Sequence, residues 1–212
     1  MADRGEVFAD RADAGRQLAA VLRDRALGDS VVAGIPRGGV VVAAEVATVL
    51  GAPLRAVVAR KVGAPGHAEL AMGAVGPDGV SVVDAALARR VGATDRFVEQ
   101  AVAAARAEVD ARLAALPGVL RRDDAAGRTV VVVDDGVATG ATAAAVGRWL
   151  ATTDATRRVL ALPVGPPDTL RALRADYDDV VAVQTPSWFV AVGQWYRDFR
   201  QVTDDEVARL LG

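Results

Sequence analysis

The sequence predicts an α/β fold: a mainly parallel, twisted sheet flanked by helices, with a small C-terminal hood. Three observations lead there. Short runs of Val, Ile and Leu recur along the chain and are apolar almost throughout, as strands covered on both faces must be. Between them lie segments with apolar residues every three or four positions, the mark of helices with one buried face. The two kinds alternate, which is the order of strand–helix–strand crossovers.

The first helical pattern covers residues 13–27, where Ala14, Leu18, Val21 and Leu22 share a face. A strand at 31–35 follows, and then Gly34-Ile35-Pro36-Arg37-Gly38-Gly39 opens a helix over 38–50 that Gly51 ends. The next strand, 54–59, runs into Arg60-Lys61 and then into Val62-Gly63-Ala64-Pro65-Gly66-His67-Ala68-Glu69, a stretch rich in turn formers that reads as a loop. Residues 73–83, broken at Pro77-Asp78-Gly79, read as a hairpin beside the sheet. Val98, Val102, Ala105, Val109, Leu113 and Leu116 then mark a long helix, with Thr94 as its N-cap and Pro117-Gly118 after its end. The remaining elements are strands at 129–133, 159–163 and 180–183, with helices at 140–150 and 167–174. From 188 to 211 the chain concentrates rings, Trp188, Trp195 and Tyr196 among them, which predicts a small separate structure. The whole reads as one domain over 1–212, with a core over about 29–183 and a hood over about 184–212 that the helix at 13–27 would join.

Bulk properties remove several classes of function. A chain of 212 residues hides roughly 70% of its unfolded surface, enough for a full core. Its formal net charge of −2 gives none of the basic excess of a nucleic-acid binder. With no cysteine it has no disulfide, thiolate metal site or cysteine nucleophile. The start, Met1-Ala2-Asp3-Arg4-Gly5-Glu6, is charged and unlike a signal peptide, and no apolar run approaches the roughly 20 residues that span a bilayer. A cytoplasmic location is the expectation.

The strongest chemical signal is Val130-Val131-Val132-Val133-Asp134-Asp135-Gly136-Val137-Ala138-Thr139-Gly140-Ala141-Thr142. A buried strand ends in two carboxylates, a turn of small residues follows, and a helix begins. Ligands of open α/β sheets collect at the carboxyl ends of strands. The start of the following helix offers unpaired N–H groups and a positive dipole end, which suit a phosphate. Gly140 lets the backbone come close, and Thr139 and Thr142 add hydroxyl donors. Two carboxylates beside a phosphate would repel it unless they face something neutral or cationic. A sugar diol or a hydrated Mg²⁺ meets that condition. Phosphate at one end and hydroxyls at the other describe a ribose 5-phosphate. No Gly-Lys-Ser/Thr follows, so this is not a P-loop, and no Gly-x-Gly-x-x-Gly stands here. At Gly34 to Gly39 the glycines permit N–H groups to face an anion, and Arg37 can make a forked pair with phosphate oxygens.

These residues resemble the type I phosphoribosyltransferase family, whose signature is a hydrophobic strand, two acids and a loop ending in Thr-Gly-x-Thr. The order of elements resembles that family over about 31–183. The resemblance implies that the chain binds 5-phosphoribosyl-1-pyrophosphate and moves its ribosyl 5-phosphate onto a nitrogenous small-molecule acceptor, with Mg²⁺ as cofactor. Asp134 and Asp135 would hold the ribose hydroxyls, touching metal mainly through ligand and water. Ala138, Thr139, Gly140, Ala141 and Thr142 would hold the 5-phosphate. Arg37, Gly38, Gly39 and Arg60 would face the pyrophosphate, and Lys61 would neutralise it as it leaves. The stretch 62–69 would be the family's flap, bringing His67 and Glu69 near the reaction. Trp188 or Phe189, in the hood, would stack the acceptor. Dimers are common in the family, so a homodimer is a further implication. Purine-salvage members often carry Asp before Thr-Gly, where this chain has Ala138, which argues against a standard hypoxanthine-guanine enzyme. A sensor of the sugar pyrophosphate without catalysis, or a ribosyl-phosphate hydrolase, would use the same loop.

Overall fold

The structure, a computed structural model, describes residues 7–212. The chain runs α1 (Arg11–Arg23), β1 (Ser30–Gly34), α2 (Gly38–Leu50), β2 (Leu54–Ala56), β3 (Arg60–Ala64), β4 (His67–Val75), β5 (Ser81–Val83), α3 (Ala85–Arg90), α4 (Asp95–Ala115), α5 (Arg122–Ala125), β6 (Thr129–Val133), α6 (Ala141–Leu150), β7 (Arg157–Val164), α7 (Pro167–Leu173), β8 (Asp179–Gln184) and α8 (Asp204–Leu211). Five strands form one sheet in the order β2-β1-β6-β7-β8, every neighbouring pair parallel.

The alternation of a strand explains the continuous Val run of β6. Val130 and Val132 meet Val146, Trp149, Leu150 and Leu170 of α6 and α7 on one face. Val131 and Val133 meet Leu18, Leu22, Val42 and Val46 of α1 and α2 on the other. Each fully buried Val or Leu contributes about 1.5–3 kcal/mol, so both faces must be apolar and neither is left for solvent. A second, antiparallel sheet, β3-β4-β5, stands beside the first. Val62, Met72 and Val75 from it pack on Ala105 and Val109 of α4. Thr94 caps α4 by accepting from the Phe97 N–H at 3.2 Å. Asp78, in the turn before β5, accepts from Trp149 Nε1 at 2.8 Å and pairs with Arg122 at 2.7 Å, tying the second sheet to α6.

Several expectations are corrected. The strand expected at 54–59 stops at Ala56, where the segment around Val119 takes over: the Ala56 N–H donates to Gly118 C=O and the Leu120 N–H to Ala56 C=O. Val57 still donates its N–H to Gly34 C=O of β1 at 2.9 Å, and Val57 and Val58 are buried in the cores under the two sheets. The stretch expected as a loop at 62–69 is the turn and flanks of the β3–β4 hairpin, reversing at Pro65-Gly66 with Gly66 at φ 70°. Its turn formers serve a tight reversal and a register shift at Val62–Ala64. The side chains of Ala68 and Glu69 lie outside the described residues, and with them any role for Glu69.

The C-terminal rings gather in a small cluster of their own that rests on the main sheet. Trp195 and Tyr196 are buried with Phe8, Ala14 and Val164 against the main sheet. Phe8 joins this segment as a short bridge, donating its N–H to Trp195 C=O and accepting from the Arg197 N–H, both at 2.9 Å. α8 turns back to α2 and β2, with Val207 and Val202 against Val40 and Ala56. α1 packs along α2, and its first turn also meets the C-terminal segment, where Ala14 lies with Trp195 and Tyr196 and Arg11 donates to Arg200 C=O. The helix starts at Asp10, whose side chain accepts from the Asp13 N–H, and ends at Arg23, short of residue 27. Among the described residues no helix is long and apolar enough to cross a membrane.

Candidate functional site

The site lies where β6 ends. Val133 is the last laddered residue, Asp134 and Asp135 follow, and α6 begins seven residues beyond Asp134, at Ala141. A cavity of about 310 Å³ opens there, lined by residues 134–143 together with Lys61, Ala71, Val192 and Phe199. Gly140 is the N-cap of α6 at φ 74° and brings no capping side chain. The first N–H groups of α6 are therefore left for a ligand or water. Thr139 and Thr142 make no side-chain hydrogen bond to any described residue, and Ala138 and Thr139 are exposed.

The loop is held from behind. Val137 is buried and its N–H donates to Val164 C=O at 3.1 Å. Thr169 Oγ1 on α7 donates to Ala138 C=O at 2.8 Å. Tyr177 donates its hydroxyl to Ala143 C=O at 2.7 Å under the first turn of α6, and burial raises the ordinary ionisation point of that phenol. Anchors on the inner side and no partners on the outer side leave a preformed cradle at the helix start.

The two acids are set differently. Asp134 Oδ1 accepts the Asp135 N–H at 2.9 Å. Asp135 Oδ2 accepts from Arg11 Nε at 2.7 Å, both side chains being largely covered. Burial raises the Asp134 carboxyl well above its ordinary value, and the neighbouring Asp135 charge pushes it the same way. Asp135 is raised too, because burial outweighs the pull of Arg11. Lys61, on the cavity wall, draws both downward. Tyr196 donates its hydroxyl to the Asp135 C=O.

The β1–α2 turn is pressed against these acids. A Cβ on Gly38 would lie 1.9 Å from Asp135 Oδ2, and one on Gly39 would lie 2.8 Å from Asp134 Cα. Only glycine lets the two segments approach this closely. The peptide between Pro36 and Arg37 is cis. Arg37 is exposed and pairs with no described residue. Two motifs about 100 residues apart in sequence thus pack against each other, although Arg37, Gly38 and Gly39 are not among the residues that line the cavity.

Other expected residues fall elsewhere. Lys61 lines the cavity, but Arg60, next to it on β3, turns to the opposite face and pairs with Glu108 of α4, Nε to Oε2 at 2.7 Å. Trp188 is 68% exposed and does not line the cavity. Phe189 stacks on Trp195, centroids 6.3 Å apart and planes 14° apart. The ring that reaches the cavity is Phe199. His67 is exposed at the start of β4 and is not on the cavity wall. Sequence reasoning missed Arg11, Val192, Tyr196 and Phe199. Arg11 is one of many arginines, and nothing in its spacing ties it to an acid 124 residues away.

Three comparisons bear on this site. The family model described as a phosphoribosyl transferase domain matches residues 5–200. Over 206 residues the chain is 43% identical to a Mycobacterium tuberculosis protein whose name assigns it provisionally as a phosphoribosyl transferase. That match covers 97% of this chain and 46% of the other, so the chain spans about half the length of the curated relatives it matches. The crystal structure of TT1426 from Thermus thermophilus superposes with a TM-score of 0.78 at 42% identity, covering 97% of each chain. A hypothetical protein of Neisseria gonorrhoeae with bound ppGpp shares the fold, with a TM-score of 0.51 at 16% identity over 97% of this chain and 94% of that one.

Proposed function

The chain belongs to the phosphoribosyl transferase domain family, and from that premise we propose that it binds 5-phosphoribosyl-1-pyrophosphate and transfers the ribosyl 5-phosphate to a nitrogenous small molecule. One observation bears most of the weight: a single cavity of about 310 Å³ brings the acidic pair, the open start of α6 and Lys61 together. The helix start and the Thr139 and Thr142 hydroxyls would take the 5-phosphate. Asp134 and Asp135 would accept from the ribose hydroxyls, which removes the conflict between adjacent carboxylates and an anion. Lys61, Arg37 and the N–H groups of the Gly38-Gly39 turn would face the pyrophosphate.

In the reaction, a lone pair on the acceptor nitrogen forms the bond to C1 as the C1–O bond breaks. The electron pair leaves with pyrophosphate, and the proton of the acceptor nitrogen passes to solvent. Positive charge develops on the ring, as in glycoside cleavage, and the Asp134–Asp135 pair, holding the ribose hydroxyls, would favour it. Lys61 would stabilise the departing anion. Ala138 offers no proton acceptor, so the acceptor must either lose its proton readily or be helped by another group. Among the described residues no cluster of three or more acids and histidines could cage a metal. The adjacent carboxylates therefore suit a Mg²⁺ held chiefly by ligand oxygens and water, where it would offset pyrophosphate charge.

Incubation with 5-phosphoribosyl-1-pyrophosphate, Mg²⁺ and a panel of purines, pyrimidines and other nitrogen acceptors tests this reading. Pyrophosphate released only with an acceptor supports transfer. Release without any acceptor would assign hydrolysis instead, and calorimetric binding with no turnover would assign a sensor.

A further inference from the structure

We infer that Arg11 is a positioning residue, fixing how Asp135 presents its carboxylate and so setting a preference for ribose over 2-deoxyribose phosphates. The inference rests on the ribose-phosphate reading of the cavity. Arg11 stands in the first turn of α1, and its guanidinium is engaged on three sides. Nε donates to Asp135 Oδ2 at 2.7 Å. Nη1 donates to Arg200 C=O at 2.8 Å. The guanidinium carbon lies 3.9 Å from the centroid of the Phe199 ring. The Arg11 and Asp135 side chains are only 11% and 16% exposed. A planar fork held on three sides is pre-organised and does not follow a moving partner. The carboxylate therefore takes its orientation from the arginine.

The start of α2 lies against this same contact, a Cβ on Gly38 falling 2.6 Å from Arg11 Nε. Asp135 Oδ2 occupies the place that a Cβ on Gly38 would need, 1.9 Å away. The acid and the arginine that holds it are thus packed together against the first turn of α2, which leaves the carboxylate little room to swing. Asp134 has no such brace, since its Oδ1 takes the N–H of its own neighbour. The two adjacent acids are therefore not equivalent. One of them is braced by an N-terminal helix, and that brace is completed by Phe199 and Arg200 near the other end of the chain. A carboxylate fixed in this way discriminates by hydroxyl geometry, because a bound ligand lacking the hydroxyl leaves a covered acceptor unmatched.

A purely structural role for the pair would move stability but not the ratio of affinities for two matched ligands, so the ratio decides. Ribose 5-phosphate and 2-deoxyribose 5-phosphate would be titrated by calorimetry into wild type, Arg11→Ala, Arg11→Lys, Asp135→Asn and the Arg11→Ala/Asp135→Asn pair. Wild type is expected to favour ribose by about tenfold, the scale of one hydrogen bond to a charged acceptor. Arg11→Ala should bring the ratio to within about twofold, and Arg11→Lys, which keeps charge without the fork, should lower it part of the way. In the Asp135→Asn background, removing Arg11 should leave the ratio where Asp135→Asn alone put it. An unchanged ratio in folded Arg11→Ala or in Arg11→Lys overturns the inference, as does an equal loss of affinity for both sugars. If wild type binds neither sugar, the ribose-phosphate reading fails and this inference falls with it; if wild type discriminates and the Arg11 variants still do, only the inference fails.

Discussion

Replacing Gly38 by Ala asks the structure for a response that simple helix propensity would get wrong. Gly38 is the first residue of α2, and Ala is favoured over Gly in a helix interior by roughly 0.8–1.0 kcal/mol, less at an end. On that basis the change should be neutral or stabilising. The new methyl would stand 1.9 Å from Asp135 Oδ2 and 2.6 Å from Arg11 Nε. The carboxylate can give way only by swinging off Arg11. Separating a fully buried pair costs about 3–5 kcal/mol; for side chains 11% and 16% exposed, solvent takes up part of that. Overpacking alone costs about 1–3 kcal/mol. Set against a gain below about 1 kcal/mol, the net is a loss of roughly 1–3 kcal/mol, a fall in Tm of roughly 2–12 °C for a chain of this size. Thermal and urea unfolding would measure it, with Gly127→Ala as control. Gly127 also changes a glycine, at φ 73°, but a Cβ there meets nothing within 4 Å, so only backbone strain is tested. Adding Asp135→Ala removes the atom that clashes, so the double variant should lose less than the sum of the two single losses. Wild-type stability in Gly38→Ala, or strict additivity in the pair, would refute the argument that these acids and this turn compete for one space.

Asp134→Asn should raise Tm, and more at neutral than at acid pH. Its folded ionisation lies above the ordinary 3.8, so the native state holds the extra proton over that window and stability falls as pH rises through it. A flat pH dependence of the gain, followed by scanning fluorimetry, would contradict the burial argument. Thr139→Ala should weaken ribose 5-phosphate binding by roughly threefold to tenfold, one hydroxyl donor to a phosphate, without changing Tm; calorimetry checks it. Trp149→Phe should cost about 1–3 kcal/mol in urea unfolding, from the lost donor to Asp78 and a gap in the main core.

The main sheet and the open turn before α6 were legible in the sequence because their signals are local. A strand buried on both faces has to be apolar at every position, as 129–133 is, and a helix opened by Thr139-Gly140 shows its small residues in one short run. Lys61, Gly38 and Gly39 were legible for the same reason, since each ends or begins an element that the periodicity already marks. The β3–β4 hairpin was misread as a loop because Gly and Pro mark a tight reversal and an irregular segment alike.

The partners of these local signals were decided only by tertiary structure. Nothing near Asp135 in sequence shows that Arg11 grips it, that Tyr196 holds its carbonyl, or that Phe199 rather than Trp188 reaches the cavity. Arg60 and Lys61 look interchangeable as neighbours, yet the pleat of β3 sends one to Glu108 and the other to the site. The physical reason is range. Secondary structure answers to neighbours within a few residues, whereas a site is closed by side chains that only the packing of α1, α2 and the C-terminal segment onto the sheet brings within a hydrogen bond of each other.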